Sequence, residues 1–273
     1  MSNLFDIKDL NFVIAGGLGQ VGLKLSEHLE KNGSKMVILD IFDKKKLVSL
    51  KKKNLFLSSK KIKILSVDIS KKSKIEKSLN KITNFLKRIN VLVNLAAIDT
   101  NNKGKFDKKI NFHNFPDKSL RKSIDVNLIG SLNLSQIFCN YFVKNNIAGN
   151  IINVASIYSI VGPNLALYNK KISKNFNTNK PIDYVMSKSS IPNLTKYIAI
   201  NYGRKNIRSN CVVPHGIKNL HKKDFVQKFS NLSPIGRMSD VKEVIGPIIF
   251  LSSNASSYMT GSTLIVDGGW TAW

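Results

Sequence analysis

Tyr184 and Lys188, in the run Tyr184-Val185-Met186-Ser187-Lys188, stand four residues apart, a spacing that on a helix sets a phenol and an ammonium on one face. A tyrosine left to itself titrates near ~10, and a fixed positive charge beside it favours the phenolate and lowers that value. The pair is therefore a candidate proton donor and acceptor for neutral pH. The same spacing also occurs on solvent-facing helices, so its meaning depends on the groups that the rest of the chain brings to it.

Those groups must be carried by strands and helices. Asn11 to Ala15 reads as a short buried strand, and Val21 to Lys31 as a helix that Asn32-Gly33 terminates. Between them lies Gly16-Gly17-Leu18-Gly19-Gln20-Val21-Gly22, with Gly16, Gly19 and Gly22 three apart. Such a turn lets backbone approach a pyrophosphate, and the helix N-terminus behind it supplies a positive dipole. A second strand, Lys35 to Leu39, ends at Asp40, 18 residues beyond Gly22, close to the spacing of a ribose-binding acid. Asp40 would accept hydrogen bonds from ribose hydroxyls and repel a 2′-phosphate, which predicts NAD in preference to NADP. Further strands are expected at Ile62 to Val67, Val91 to Leu95, Asn150 to Val154, Ile207 to Val213 and Thr263 to Val266, with helical stretches between them. That alternation is the pattern of an α/β, doubly wound parallel sheet of the Rossmann type, here one domain over 1–273.

At 273 residues and 42% hydrophobic content the chain can bury one sizeable core, and no Pro/Gly/Ser-rich linker divides it. No apolar run is long enough to span a bilayer, and Met1 to Asn11 has no signal-peptide core, so a soluble cytoplasmic protein is expected. Cys139 and Cys211 have no paired or metal-type spacing, and His28, His113, His215 and His221 form no cluster on one element, so no metal is expected. The net charge of +26 is carried almost wholly by lysine, with only five arginines, and arginine is the better residue for bidentate phosphate and base recognition. The lysines therefore read as solvated faces rather than a nucleic-acid footprint.

Further landmarks follow at strand ends: Asp68-Ile69 after the third strand, Asn94-Leu95-Ala96-Ala97 after the fourth, Asn127 in Asp125-Val126-Asn127-Leu128, Ser156 in Asn153-Val154-Ala155-Ser156, and Pro214-His215-Gly216-Ile217. With Tyr184, Lys188 and the ending Val266-Asp267-Gly268-Gly269-Trp270, they resemble the short-chain dehydrogenase/reductase superfamily, shorter-chain branch, over nearly the whole chain. The resemblance implies an NAD(P)-dependent oxidoreductase that interconverts a secondary hydroxyl and a ketone. By it, Tyr184 is the general acid/base, Ser156 holds the substrate oxygen, Lys188 lowers the tyrosine pKa and binds the nicotinamide ribose, and Asn127 orders a proton-relaying water. It also implies cofactor contacts from Gly16, Gly19, Gln20, Val21, Gly22, Asp40, Asp68, Ile69, Asn94, Ala96, Pro214, Gly216 and Ile217, besides Tyr184 and Lys188. Homodimers or homotetramers are expected through the helices near Ser119 to Lys144 and Asp183 to Lys205.

This chain departs from the family's pattern in places. Gln20 stands where the shorter branch has glycine, and Ala97 and His215 replace glycines. Ser156 and Tyr184 are 28 residues apart, about twice the family's usual gap. The extra segment, roughly Asn164 to Pro181, carries Tyr168, Lys170, Lys171 and Lys174, and being joined at both ends to catalytic candidates it reads as a substrate-side insert. Ser156-Ile157-Tyr158 followed by this insert resembles bacterial members linked to flagellin modification and nonulosonate-sugar synthesis, which suggests an anionic, phosphorylated or nucleotide-linked sugar. Two other functions compete: a 3-oxoacyl carrier-protein reductase, disfavoured by Asp40 and by the absence of a basic residue in the glycine loop, and a non-catalytic dinucleotide-sensing or nucleic-acid-binding module, disfavoured by the presence of both Tyr184 and Lys188.

Overall fold

Apolar runs of Val, Ile and Leu form the central strands here because those strands are covered by helices on both faces. A computed structural model describes residues 3–99, 112–167 and 180–273. The strands are β1 (Asn11–Ala15), β2 (Lys35–Asp40), β3 (Ile62–Ser66), β4 (Val91–Asn94), β5 (Gly149–Val154), β6 (Ile207–Pro214) and β7 (Thr263–Val266). They build one seven-stranded sheet in the order β3-β2-β1-β4-β5-β6-β7, parallel throughout. Helices α1 (Gln20–Lys31), α2 (Lys44–Lys53), α3 (Lys72–Leu86), α4 (Asp117–Ile124) and α5 (Gly130–Lys144) precede β5. After it come α6 (Ile182–Ser189), α7 (Ile191–Tyr202), α8 (Lys223–Leu232) and α9 (Lys242–Ser252).

Alternate side chains of β1 serve opposite cores, as a period of two requires. Phe12 and Ile14 pack with Leu25 and Leu29 of α1 and Ile245 and Ile248 of α9. Val13 and Ala15 pack with Ile75 and Ile82 of α3, Phe138 and Phe142 of α5, and Ile198 of α7. The strand order reverses at β1, which lies between β2 and β4, and a crevice at the carboxyl ends of the strands opens there. Asp40, Asn94, Ser156 and Pro214 all stand at or just beyond carboxyl ends of this sheet.

Both long helices expected from the sequence are divided. The first runs from Asp117 and loosens into one π turn at Asp125–Ile129 between α4 and α5; such a turn is a recurrent mark of functional positions in helices. The second breaks at Ser190 into α6 and α7, where Pro192 in the first turn of α7 has no N–H to continue the ladder. Residues 168–179, with Tyr168, Lys170, Lys171 and Lys174, lie outside the described residues. Among the described residues no helix is long and apolar enough to cross a membrane.

Candidate active site

The glycine loop is shaped by close backbone approach. Gly16 has φ +75°, and a Cβ there would stand 2.6 Å from the backbone of Ala96, so the turn after β1 fits against the segment after β4 only without a side chain. At Gly22 a Cβ would meet the Gly17 Cα at 2.4 Å, which makes this the glycine that lets α1 pack onto the loop. Gly19 is different: a Cβ there would meet only the Gly16 oxygen, at 3.3 Å, so its freedom serves the space outside the chain. It caps α1 with no side-chain hydrogen bond, and no acid sits in the first turn, so the helix N-terminus is left free for an anion.

Asp40 holds this loop as well as facing the crevice. Its carboxylate accepts from the Leu18 N–H at 2.8 Å and the Ile41 N–H at 2.7 Å, and a carboxylate retains lone pairs for two further hydroxyls. Gln20, in the position of a family glycine, sends its amide across the crevice to the Lys218 carbonyl at 2.7 Å and so ties the glycine loop to the segment after Gly216. Val21 follows it in the first turn of α1. Asp68 accepts from the N–H and hydroxyl of Ser70, while Ile69 is buried against Gly130. Asn94 is buried between strands, its amide reaching Asn153 at 3.5 Å. Gly216, φ +60°, lies so close to the Phe229 ring that no side chain fits, and Ile217 beyond it bridges to Ser239. This cradle, with a free helix N-terminus and an acid at the end of β2, fits a nicotinamide dinucleotide.

The four catalytic candidates meet beside it. Ser156, just past β5, and Tyr184, on α6, line the same cleft, and the Ser156 hydroxyl acts to lower the Tyr184 pKa. Asp183 fixes the start of α6 by accepting from the Tyr184 N–H at 2.8 Å and from the Ser123 hydroxyl at 2.6 Å. Lys188 is buried and donates to the Val154 carbonyl at 2.7 Å, two residues before Ser156. Asn127 sits in the π turn, fully buried. Its amide donates to the Ile98 carbonyl at 3.0 Å and the Ser187 hydroxyl at 2.8 Å, while its oxygen accepts from the Ile98 N–H. Both amide hydrogens are thus committed, and the remaining capacity of the side chain is a lone pair on its oxygen.

The electrostatics correct one expectation. Lys188 was expected to depress the Tyr184 pKa, but the phenol is pushed above its ordinary value, first by burial and then by the Asp99 carboxylate and Tyr158, with the Ser156 hydrogen bond opposing. Lys188 is itself pushed down to about 8 by burial, and its ammonium is directed at Val154 O rather than at the phenol. In this state Tyr184 is a protonated acid.

Spacing within single elements did not reveal Asp99 or Lys180. Asp99 follows Ile98, which Asn127 clamps, and forms an ion pair with Lys180, just ahead of α6. The Lys180 ammonium lies 4.2 Å over the centre of the Tyr184 ring and 5.9 Å from that of Tyr158. Together with Ser156, Tyr184 and His215 these groups line a cleft of about 250 Å³. Burial pushes the His215 imidazole down to about 4, so it is neutral at pH 7, and among the described residues its buried Nε2 has no hydrogen-bond partner. Among the described residues no three His, Cys, Asp or Glu side chains are grouped to hold a metal.

A family model described as enoyl-(acyl carrier protein) reductase matches residues 18–271. The chain belongs to the short-chain dehydrogenase/reductase superfamily. It is accordingly an NAD(P)-dependent oxidoreductase acting on CH–OH groups. Among its relatives, a protein of Listeria innocua described as an NAD-dependent glycerol dehydrogenase is 28% identical over 98% of this chain and 96% of its own length. A Campylobacter coli protein described as post-translational flagellin modification protein A is 26% identical over 94% of this chain and 96% of its own. A solved short-chain dehydrogenase of Leptospira borgpetersenii with bound NAD+ is 28% identical and superposes with a TM-score of 0.82, covering 99% of this chain and 96% of that one.

Proposed function

We propose that this short-chain dehydrogenase/reductase interconverts a secondary hydroxyl and a ketone on a sugar-derived substrate, with NAD as cofactor and in the cytoplasm. The observation that carries the proposal is that Ser156 and Tyr184 line one polar cleft, which Gln20 of the glycine loop also lines. When bound, the nicotinamide dinucleotide supplies the hydride donor or acceptor. In the reducing direction the Ser156 hydroxyl holds the carbonyl oxygen, and the protonated Tyr184 gives it a proton as the alkoxide develops. Lys188 holds the nicotinamide ribose, and Asn127 retains a water through which the phenolate regains its proton. Gly16, Gly19, Gly22 and Asp40 hold the dinucleotide, and the Asp40 carboxylate favours ribose hydroxyls over a 2′-phosphate.

Relatives described as acting on glycerol, 5-keto-D-gluconate and L-xylulose support a polyhydroxylated substrate. A finer variant, a phosphorylated or nucleotide-linked sugar in bacterial surface-glycan synthesis, is in keeping with the Campylobacter coli relative described as a flagellin modification protein. Tyr197 and Ile200 on α7 and Val143 on α5 expose apolar side chains, which suits pairing with a second copy through these helices. A screen of polyols, keto sugars, sugar phosphates, nucleotide sugars and acyl thioesters, followed by nicotinamide absorbance, tests the proposal. Turnover of keto sugars or polyols with NAD is expected, and turnover confined to acyl thioesters would replace it with the carrier-protein reductase.

A further inference from the structure

The Asp99 and Lys180 pair belongs to neither the cofactor cradle nor the Ser156–Tyr184–Lys188–Asn127 group, yet it forms part of the wall of the same cleft. The two residues come from segments 81 positions apart, one held at the end of β4 by the Asn127 clamp and the other at the entry to α6. Their side chains are largely covered, at 18% and 13% exposed, so the pair is not a solvent-screened surface contact. The ammonium also lies over the Tyr184 ring, which places it beside the residue that handles the reacting oxygen.

We propose that Asp99 and Lys180 form a subsite that reads the hydroxyl on the carbon next to the reacting one, so that the enzyme selects a vicinal diol and its α-hydroxy ketone. This rests on the hydroxyl/ketone chemistry proposed above and narrows its substrate class. An ammonium has three hydrogens, so Lys180 can donate further after pairing with Asp99, and a carboxylate's roughly four lone-pair sites let it accept from several donors at once. A hydroxyl donates and accepts at once, and therefore bridges such a pair without displacing either member. A carboxylate on the same carbon would be attracted by Lys180 but would meet the Asp99 charge, and it must break the ion pair to gain the cation. A methyl group there would strip water from both charges and return nothing. The neutral His215, with its unpartnered Nε2 in the same cleft, offers a further hydroxyl partner and adds no charge.

The test compares three compounds with one reacting centre, CH3–CH(OH)–R: propane-1,2-diol, propan-2-ol and lactate, where R is CH2OH, CH3 and carboxylate. The best ketose from the screen and its analogue deoxygenated beside the carbonyl form a second pair, which decides the matter if the three-carbon compounds prove too small. With NAD and the full chain, kcat/KM for the diol is expected to exceed that for propan-2-ol by about 10- to 100-fold, with lactate below the diol. In Asp99→Asn and Lys180→Met the diol-to-monoalcohol ratio should fall towards one. The ratio is insensitive to partial unfolding, which lowers both rates together, and a parallel NADH fluorescence titration shows whether the cradle is intact. Lactate should gain on the diol in Asp99→Asn, where the cation is uncovered. A wild-type ratio near one, a lactate preference in the wild type, or an unchanged ratio in both variants overturns the subsite while leaving hydroxyl/ketone chemistry standing. If no CH–OH compound is turned over, the functional reading fails first and takes the subsite with it.

Discussion

The crevice has two halves built by different means. On the cofactor side, from β1 to β2, the working parts are main-chain groups and the absence of side chains: Gly16 against Ala96, Gly22 against Gly17, the bare N-terminus of α1, and one acid that braces the loop. On the substrate side, side chains from the ends of β4, β5 and β6 and from α6 converge on a cleft, where Asp99 and Lys180 are paired from distant segments. Main-chain construction fixes spacing in the sequence, because a close approach tolerates glycine alone at a set position. Side-chain construction fixes geometry in space and leaves the sequence positions nearly free, so specificity can vary there without disturbing the cradle.

The sharpest test of that division is Tyr184→Phe, which removes the oxygen and almost no volume. Turnover is expected to fall about 10²–10⁴-fold, while the NADH affinity measured by fluorescence stays close to wild type. Retention of most of the turnover would remove Tyr184 from the chemistry; a matching loss of affinity would show that the halves are not separable. Next in size is the contrast between two glycines. Gly16→Ala forces a Cβ against the Ala96 backbone at positive φ and should cost about 1–3 kcal/mol in urea unfolding, with NADH binding lost as well. Gly19→Ala meets no such obstacle at φ −78°, so its unfolding free energy should stay within about 0.5 kcal/mol of wild type while NADH binding weakens. Equal stability losses would contradict the assignment of Gly16 to packing and Gly19 to the ligand.

The third test uses Lys188, whose burial holds it near pH 8 against an ordinary 10.5. Between those values an unfolded chain binds a proton that the folded one has released, so the contribution of this group to stability rises as pH climbs from about 8 to 10.5. Below pH 8 its burial penalty is constant and largest. Lys188→Met abolishes the titration, so the wild type should gain on the variant across that window by about 3 kcal/mol in urea unfolding at stepped pH. Parallel curves would mean that the ammonium keeps its proton in place beneath the site.

These contrasts also explain what could be read in the chain before its structure. The parallel sheet was legible because short apolar runs such as those of β1, β2 and β4 alternate with helical stretches, and Gly16, Gly22 and Asp40 because a turn, a close packing and a strand end fall at fixed intervals. Tyr184 and Lys188 share one short helix, so their proximity followed from a four-residue spacing. Asn127 carried no such signal; it was found by resemblance to a family, and its π turn, which depends on packing against Ile98 and Ser187, was read as ordinary helix. Asp99 and Lys180 are too far apart in sequence for periodicity to pair them. The direction of the Tyr184 shift was missed for the same reason, since burial and the Asp99 charge set it while Lys188 is directed at the Val154 carbonyl.

The smallest expected effect separates the two tasks of Asp40, bracing the glycine loop and choosing the cofactor. Asp40→Asn keeps one side-chain oxygen to accept from Leu18 or Ile41, so the loop retains an anchor, and the substitution removes the negative charge. A phosphate near a partly exposed carboxylate experiences a repulsion of about 1 kcal/mol once solvent screening is included. The wild type should therefore bind NADH several-fold more tightly than NADPH in titrations at one ionic strength, and Asp40→Asn should narrow that ratio about fivefold, chiefly through NADPH. Raising the salt concentration should narrow it further in the wild type and much less in the variant, because only the wild type has a charge to screen. Tighter NADPH binding by the wild type would overturn the choice of NAD, and an unchanged ratio in Asp40→Asn would leave the carboxylate with loop bracing alone.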